Sequence, residues 1–425
     1  MAAFRFIHSA DIHLDSPLRS LALRDPALAD LIGNATRRAF VRIIDICLEE
    51  QVDALVLAGD LYDGDQTSMK TARFFAAQLR RLHDAGVRVF IIRGNHDALS
   101  RITKELTLPE TVKVFGGRAE AIEIERPPGS VPIAIHGLSF AQPHAPESLV
   151  GKYKPPINGA VNIGMLHTSL AGAPGHDPYA PCSVADLQAT GFDYWALGHV
   201  HKRSVATGKC SVVMPGMPQG RDINEAGPKS VTLVTVADDR SILIEERVTS
   251  IAQFERVTLD ATDIDEWRDL ISAFDAVIGR ERVNTVTEHL VARVNVTGPT
   301  PLAWRLRADL DLFKSELDDR ASAVGDCWIE KVDISCDPAG ELSAAPDNPI
   351  VELRRLISDE IITSGAFEAE IAAIAEELRS QLPRESRNLL GETEAEFQSK
   401  LSDLVREGAA DVLAHLQAGR GAQSS

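Results

Sequence analysis

No run of apolar residues in this chain approaches the roughly eighteen that a membrane-spanning helix requires, so we expect no membrane segment. The opening stretch Met1–Ile7 lacks a basic segment followed by a long apolar one, and we therefore expect no secretory signal. Cysteine is scarce, because the 425 residues include only five, scattered and without a CxxC pair. This distribution argues against a disulfide framework and predicts reduced, buried thiols in a cytoplasmic protein.

The chain also has fewer basic than acidic residues. The formal net charge is −18, whereas binding to a polyanion such as nucleic acid favours a basic surface. The acidity belongs almost wholly to the second part of the chain: residues 1–250 carry 26 Lys and Arg against 28 Asp and Glu, and residues 251–425 carry 18 against 34. Bound divalent cations would add positive charge to the first part. The charge therefore permits a DNA substrate but does not argue for one.

Apolar runs alternate with amphipathic stretches over the first 250 residues. Buried strands are predicted at Phe4–Ile7, Ala54–Ala58, Val87–Ile92, Ile133–Ile135, Ile163–Leu166 and Tyr194–Leu197. Helices are predicted between the early strands, at Thr36–Glu50 and Ser68–Ala85. Three further strands follow without helices, at Ser211–Met214, Val231–Val236 and Ile242–Val248. The sequence therefore predicts an α/β layered domain over residues 1–250.

The pattern changes near residue 251. Strands are predicted at Phe254–Leu259, Leu290–Val296 and Trp328–Ile334, with intervening helices at about Ile264–Ile278 and Pro301–Leu317. This β-α-β-α-β order predicts a small α+β domain over residues 251–346. Residues 347–425 have a helical, acidic pattern. Two interpretations of this last region stay open: a solvated helical appendage, or a docking element whose apolar stripes contact a partner's helix.

Metal-binding side chains gather directly after the predicted strands of the first domain. In chain order the five clusters are Asp11-Ile12-His13, Gly59-Asp60-Leu61-Tyr62-Asp63, Gly94-Asn95-His96-Asp97, His167, and Gly198-His199-Val200-His201. Because open α/β sheets place their ligands at the carboxyl ends of the strands, these side chains can converge on one point. Carboxylates, an amide carbonyl and neutral imidazoles suit Mn, Fe or Zn.

The spacing within the clusters supports a shared site. Asp11-x-His13 and His199-x-His201 would each place two side chains on one face of an extended segment. Glycines at positions 59, 94 and 198 allow tight turns and leave space for ions. The competing interpretation is that each cluster is ordinary turn chemistry. Five clusters in order, each directly after an apolar run, make that interpretation the weaker one.

The five clusters resemble the motifs of the calcineurin-like metallophosphoesterases. That family has the pattern D-x-H, G-D-x-x-D-G, G-N-H-D/E, a separate H and G-H-x-H, and all five blocks occur here in order over residues 11–201. Within the family, Phe6–Pro17 and Met214–Arg221 are similar to the bacterial YhaO group of DNA-repair exonucleases, relatives of the nuclease SbcD, which works with an SMC-like ATPase. The resemblance implies a four-layer α/β/β/α sandwich with a smaller α+β capping domain and C-terminal helices.

The resemblance also implies the ligands of two divalent metal ions. The ligands of one ion would be Asp11, His13, Asp60 and His201. Those of the other would be Asp60, Asn95, His167 and His199, so that Asp60 bridges the pair. Manganese is the expected metal, with Fe and Zn as alternatives.

A catalytic pair follows from the same resemblance. His96 would face the substrate rather than a metal ion, and would stabilise developing charge or protonate the departing sugar oxygen. Asp63 stands where the wider family has an aspartate that orients this histidine. SbcD-type nucleases more often have a histidine at that place, and this departure bears on how far the substrate range follows SbcD.

Three cations close in sequence to the predicted site, Lys202, Arg203 and Arg221, are candidates for contacting phosphates. A solvated surface role is the alternative for each of them.

Three functions fit these features. The first is a Mn-dependent DNA exonuclease or endonuclease in DNA repair, with an SMC-like coiled-coil ATPase as the expected partner and a homodimer as a further assembly to consider. The second is a phosphoesterase of the same chemistry that acts on a nucleotide, a small phosphoester or a phosphoprotein. The third is a non-catalytic binding protein with the same fold. The intact ligand set and His96 argue against the third, because a scaffold needs neither.

Overall fold

The computed structural model describes residues 3–16, 26–63, 68–97, 107–142, 145–170, 179–338, 349–382 and 393–421. The chain forms two compact units, one spanning Met1–Glu255 with Thr285–Val291 and the other Arg256–Asn284 with Ala292–Ser425. The boundary predicted between residues 346 and 347 lies outside the described ranges, and the division into three regions stays a prediction. In the described part of the chain, no helix has both the length and the apolar character that crossing a bilayer requires.

The strands of the first unit form two mixed sheets. In chain order they are β1 (Phe4–Ser9), β2 (Ala54–Ala58), β3 (Arg88–Ile92), β4 (Val112–Val114), β5 (Glu120–Ile124), β6 (Ile133–Gly137), β7 (Val161–His167), β8 (Tyr194–Gly198), β9 (Ser204–Ala206), β10 (Ser211–Met214), β11 (Ser230–Val236) and β12 (Ile242–Val248). The first sheet has the order β12-β11-β1-β2-β3-β4 and the second β5-β6-β7-β8-β10-β9.

The central strands of both sheets run parallel. In the first sheet β1, β2, β3 and β4 are parallel neighbours, and β11 pairs antiparallel with β1 in a register that places Phe6 opposite Val234. In the second sheet β6, β7, β8 and β10 are parallel, with β5 and β9 as antiparallel edges. The carboxyl ends of the parallel strands therefore share one edge of each sheet, where open sheets bind their ligands.

Side chains that alternate along these strands divide the core into layers. Phe6 points between the sheets, where its ring lies edge-on to Tyr194 at 5.4 Å between centroids. Ile7, its neighbour, packs on the opposite face with helices α1 (Pro26–Glu49) and α2 (Met69–Asp84). The outer face of the second sheet is covered by loops and the short helix α3 (Val184–Gln188). The predicted α/β/β/α order of layers is observed, with a thin fourth layer.

The sequence located the buried central strands and the edge strand β12 but missed the other edge strands. The strands Ala54–Ala58 and Ser211–Met214 have the predicted bounds. Every apolar residue in them is buried, and such a strand is visible in the sequence as a continuous apolar run. Edge strands β4, β5 and β9 were not predicted, since they are short and partly exposed and lack a continuous apolar run. Helix α1 begins at Pro26, ten residues before the predicted start. Proline is favoured in the first turn of a helix, and Leu28, Ile32 and Ala35 extend the buried stripe.

The chain beyond residue 251 follows the predicted β-α-β-α-β order. Its elements are β13 (Ala252–Asp260), α4 (Trp267–Asn284), β14 (His289–Thr297), β15 (Pro299–Thr300), α5 (Ala303–Ala308), α6 (Leu310–Val324), β16 (Cys327–Ile334), β17 (Asp337–Pro338), α7 (Pro349–Leu356), α8 (Gly365–Gln381) and α9 (Glu394–Gly421). β13, β14 and β16 form a three-stranded sheet. The single helix predicted at Pro301–Leu317 is two helices, because Asp309 between α5 and α6 leaves the helical conformation.

The contact between the sheets gives a direct test of the layered core. We expect Phe6→Ala to lower the free energy of unfolding by about 3–5 kcal/mol, because the fully buried ring would leave a cavity on the inner face. Urea denaturation of the two proteins measures the difference. Leu243→Ala on edge strand β12, where the side chain is 57% exposed, is the control and should change stability by less than about 0.5 kcal/mol. An equal effect of both changes would contradict the assigned core.

Candidate metal centre

The five predicted clusters lie where the parallel strands end. β1, β2, β3, β7 and β8 each lead into one of them, from both sheets. Backbone hydrogen bonds join the loops beyond the strands: the amide of Asp11 donates to the carbonyl of Gly59 at 3.1 Å, and that of His13 to the carbonyl of Asp60 at 3.1 Å. The amide of His199 donates to both carboxylate oxygens of Asp11 at 2.9 Å. Residues far apart in sequence are thereby held at one place.

The backbone at the ligands is not extended, and that part of the sequence prediction is wrong. Asp11, His13 and His199 have φ values of 52°, 44° and 104°, in the left-handed region that non-glycine residues rarely adopt. β1 ends at Ser9, so Asp11 and His13 belong to a turning loop rather than to a strand. Asp60 shares the conformation with φ 51°. Such strained backbone persists only where surrounding contacts determine it, and it is concentrated at functional sites.

Asp11, His13 and His201 form the first of two buried groups, called the Asp11 cluster below; their ligand atoms all lie within 4.8 Å of one another. The Nε2 atoms of His13 and His201 are 3.2 Å apart. Two imidazole nitrogens that bind one ion at about 2.1 Å each lie roughly 3 to 3.5 Å apart. The separation in this cluster is therefore that of two ligands of a single ion.

The Nδ1 atoms of His13 and His201 each lie against a carboxylate, on the side of the ring away from the space between the two Nε2 atoms. Nδ1 of His13 lies 2.6 Å from Oδ1 of Asp63, and Nδ1 of His201 lies 2.8 Å from Oε1 of Glu225. Burial raises the pKa of Glu225, but the hydrogen bond from His201 and the charge of Arg221 outweigh it and hold the pKa at about 2. An ionised carboxylate only accepts, so each Nδ1 donates, and when both rings are neutral each Nε2 has a lone pair facing the other. A cation between them would satisfy both.

The second group, called the Asp60 cluster, contains Asp60, His167 and His199, again with ligand atoms within 4.8 Å. Nδ1 of His167 lies 2.9 Å from the carbonyl oxygen of Ala58 and donates to it. Its Nε2 lies 3.2 Å from Oδ2 of Asp60 and 3.0 Å from Oδ1 of Asn95, so that one nitrogen and two oxygen atoms converge there. Burial lowers the pKa of His167, yet the adjacent Asp60 carboxylate overrides it and raises the pKa to about 9. This convergence of donor atoms also fits a bound cation.

Both clusters suit divalent metal ions. Their donors are carboxylate and amide oxygens and imidazole nitrogens, without thiolates, and the site is closely shielded because Asp11 is fully buried and Asp60 is 2% exposed. Space for the ligands is provided by Gly94. A Cβ at this glycine would lie 2.7 Å from Nε2 of His167 and closer still to a carboxylate oxygen of Asp60. The predicted role of this glycine therefore has a steric basis.

The structure brings His96 to the rim of the Asp11 cluster. Its side chain is 46% exposed, its ring lies 5.1 Å from that of His13, and its Nδ1 lies 3.4 Å from Oδ1 of Asp63. Asp63 is closer to His13, at 2.6 Å. From the sequence, Asp63 was expected to orient His96 alone. The structure shows that its shorter contact is with His13.

The three predicted substrate-binding cations differ in their surroundings. Lys202 is exposed, next to His201. Arg203 donates to Oγ1 of Thr232 at 2.5 Å and forms an ion pair with Glu246. The side chain of Arg221 is 19% exposed and donates to Glu225. Arg203 and Arg221 are therefore each engaged by neighbouring side chains.

Glu225 was not identified from the sequence, and Asp97 was included in the third cluster without a role of its own. Glu225 lies in a one-turn 3-10 helix at Ile223–Glu225, and its only sequence signal is an acid four residues after Arg221. Asp97 is fully buried and accepts from the amides of Gly94 at 2.6 Å and Leu61 at 3.1 Å. It therefore fastens two ligand-bearing loops to each other rather than bonding to a ligand side chain.

Comparison with known proteins shows which family has this centre. The calcineurin-like phosphoesterase model matches residues 4–203, and the model of the middle domain of metallophosphoesterase YhaO matches residues 254–337. The uncharacterized metallophosphoesterase YhaO of Bacillus subtilis is 33% identical over 74% of this chain and 77% of its own length. The chain belongs to the calcineurin-like metallophosphoesterase family. The resemblance inferred from the five motifs is confirmed.

This phosphoesterase also has more distant relatives whose names refer to DNA repair or to nuclease activity. The DNA double-strand break repair protein Mre11 of Sulfurisphaera tokodaii is 24% identical over 78% of this chain and 87% of its own length. A component of the nuclease SbcCD of Bacillus subtilis is 26% identical over 54% of this chain and 66% of its own length. Family membership makes the chain a hydrolase of phosphodiester bonds, and members of the family bind two divalent metal ions.

The steric role of Gly94 leads to a test of the centre. We expect Gly94→Ala to reduce metal content below two ions per chain, because the added methyl group would displace His167 or Asp60. Elemental analysis of protein loaded with Mn²⁺ and freed of excess metal measures this. Gly33→Ala in helix α1, where an added Cβ meets nothing within 4 Å, is the control and should load as the unchanged protein does. Full loading of the Gly94 variant would contradict the assigned geometry.

Proposed function

We propose that this phosphoesterase is a Mn-dependent DNA exonuclease or endonuclease that acts in DNA repair. The observation that carries the proposal is the pair of facing Nε2 atoms of His13 and His201, which are 3.2 Å apart while the Nδ1 of each ring lies against a carboxylate, together with the buried Asp60 cluster. Such an arrangement is suited to cations and has no evident purpose without them. The names of the relatives as DNA repair and nuclease proteins support DNA as the substrate.

In this proposal the two clusters hold one ion each. The Asp11 cluster, with Asp60, would hold the first ion. Asp60 would hold the second together with Asn95, His167 and His199, so that its carboxylate contacts both ions. Mn²⁺ suits the mixed oxygen and nitrogen donors. Backbone amides support this geometry: that of His96 donates to Oδ1 of Asp60 at 3.0 Å and leaves Oδ2 directed to His167.

When bound, the pair of divalent cations neutralises the phosphate oxygens and activates a water molecule for attack. His96 supplies a proton or positive charge to the departing sugar oxygen, because it stands exposed at the rim of the cluster and is not among the proposed ligands. Asp63 fixes the orientation of the His13 ring through a 2.6 Å hydrogen bond, and the same carboxylate oxygen lies 3.4 Å from Nδ1 of His96. Exposed Lys202 is the cation best placed to contact a backbone phosphate of the substrate.

The helices at the end of the chain are proposed to dock a coiled-coil partner of the SMC-like ATPase type. Three apolar side chains of α9, Leu404, Val412 and Leu416, are 43% to 55% exposed and occur at a helical spacing. A partner's apolar helix would cover such a stripe. One relative is named as part of a nuclease of more than one chain, which supports an assembly of this kind.

His96 is expected to affect turnover but not metal binding. His96→Ala should keep two Mn²⁺ ions per chain and lose about 10²- to 10⁴-fold in kcat, because a positioned proton donor is removed while the ligands stay. Metal content and the rate of nucleotide release from labelled duplex, single-stranded and hairpin DNA measure the two effects. Activity confined to small aryl phosphoesters would overturn the nuclease proposal and favour the alternative of a small-molecule phosphoesterase.

Asp60 is expected to affect both metal binding and turnover. Asp60→Ala should bind fewer than two ions and release no nucleotides, because the proposed bridging carboxylate is lost. Asp45→Ala, which breaks a partly exposed ion pair with Arg81, is the matched control and should change neither metal content nor rate. Two tightly bound ions in the Asp60 variant would show that the assignment of the ligands is wrong.

A further inference from the structure

The histidines of the Asp11 cluster are joined by a closed chain of hydrogen bonds. Nδ1 of His13 donates to Asp63, which also accepts a hydrogen bond from Ser16. Ser16 in turn accepts from the guanidinium of Arg221 at 3.2 Å. Arg221 donates to Glu225, which accepts from Nδ1 of His201. This outer ring therefore consists of His13, Asp63, Ser16, Arg221, Glu225 and His201.

Within the outer ring, Arg221 and Glu225 are joined by more than one hydrogen bond. The guanidinium of Arg221 lies 3.0 Å from Oε1 of Glu225, and the backbone amide of Arg221 donates to Oε2 at 2.7 Å. The two side chains are 19% and 11% exposed. Glu225 is thus held by Arg221 through both of its oxygens, which leaves it little freedom to turn away from His201. The guanidinium also reaches Oε2 through its Nε at 3.5 Å, a two-point contact that planar, directed donors can make and an ammonium group cannot.

The Asp60 cluster is supported differently. Nδ1 of His167 donates to the backbone carbonyl of Ala58 at 2.9 Å, not to a carboxylate. A carboxylate partner makes a ligating imidazole a stronger electron donor and fixes the ring, and loss of such a partner usually weakens metal binding by about 10- to 100-fold. Both histidines of the Asp11 cluster have carboxylate partners, Asp63 and Glu225. The support of His167 therefore differs chemically from that of both histidines of the Asp11 cluster.

We propose that Glu225 and Arg221 are positioning residues which set the affinity of the Asp11 cluster for its ion, and that Arg221 does this instead of binding substrate phosphate. This inference rests on the proposed two-metal function. Glu225 acts by fixing the tautomer and direction of His201, and Arg221 acts by holding Glu225. Within the described ranges, the outer ring contacts the two histidines of the Asp11 cluster and, through Asp63, His96, but no member of the Asp60 cluster, so its disruption affects one ion and spares the other.

Metal titration of the full chain tests the role of Glu225. Calorimetry of the metal-free protein with Mn²⁺ should show two sites in the unchanged protein. Glu225→Gln should keep one site unchanged and weaken the other by about 10- to 100-fold. With the Asp60 cluster disabled by His167→Ala, Glu225→Gln should weaken the single remaining site by the same factor. Glu50→Gln is the matched control, because Glu50 also accepts from two arginines, Arg5 and Arg247, away from the centre. Thermal unfolding confirms that each variant is folded.

The outcomes separate the two proposals. Fewer than two Mn²⁺ sites in the unchanged protein would overturn the two-metal function itself. Two sites in the unchanged protein and the same two affinities in Glu225→Gln would overturn only the role of the outer ring. Loss of both ions in a folded Glu225→Gln protein would also overturn it, because the effect would not be confined to one cluster.

Arg221→Lys separates positioning from substrate binding, since lysine keeps the charge and loses the planar donors. A positioning role predicts that kcat falls at low Mn²⁺ and recovers at high Mn²⁺, with the KM for DNA unchanged throughout. A KM for DNA that rises and stays high at saturating Mn²⁺ would show that Arg221 contacts the phosphate, and would overturn this part of the inference.

Discussion

Two buried carboxylates at the edge shared by the sheets are the constraint on which the rest of the site depends. Asp11 is fully buried and Asp60 nearly so, and both stand among imidazole nitrogens that converge with them. Burying charge without a partner costs several kcal/mol or more. Burial accordingly raises the pKa of Asp11, whereas the adjacent His167 lowers that of Asp60. Protein groups offset the cost of burial for Asp60 but not for Asp11, and bound cations would stabilise the charged form of both.

The fold brings these groups together through the direction of its strands. Parallel neighbours β1, β2 and β3 deliver three ligand-bearing loops to one edge, and β7 and β8 of the second sheet deliver two more. The loops then turn through left-handed residues at Asp11, His13 and Asp60, which costs about 1–2 kcal/mol for each residue. Hydrogen bonds between the loops and the buried carboxylate of Asp97 stabilise those turns. Strain at the ligands is therefore offset by contacts just behind them.

The sequence predicted what is determined locally and missed what depends on contacts between distant segments. Fully buried strands such as Ala54–Ala58 appear as apolar runs, and the five clusters follow them directly. The extended conformation expected for Asp11-x-His13 was wrong, because the spacing of two residues does not reveal that β1 has already ended. Glu225 could not be assigned a role either. Its contact with His201 spans 24 residues and depends on how the segment after β10 folds back.

Cations bound beside the two buried carboxylates would also change the net charge of residues 1–250. Residues 1–250 are slightly acidic by formal charge, with 26 basic and 28 acidic side chains, and two divalent cations would reverse that sign. Because the proposed ligands His13 and His201 lie beside His96 and Lys202, which are exposed, the added charge would be concentrated where a phosphate approaches. Attraction of a polyanion would then require metal binding first. An acidic chain can in this way act on nucleic acid without a basic surface, since the ions supply both the attraction and the chemistry.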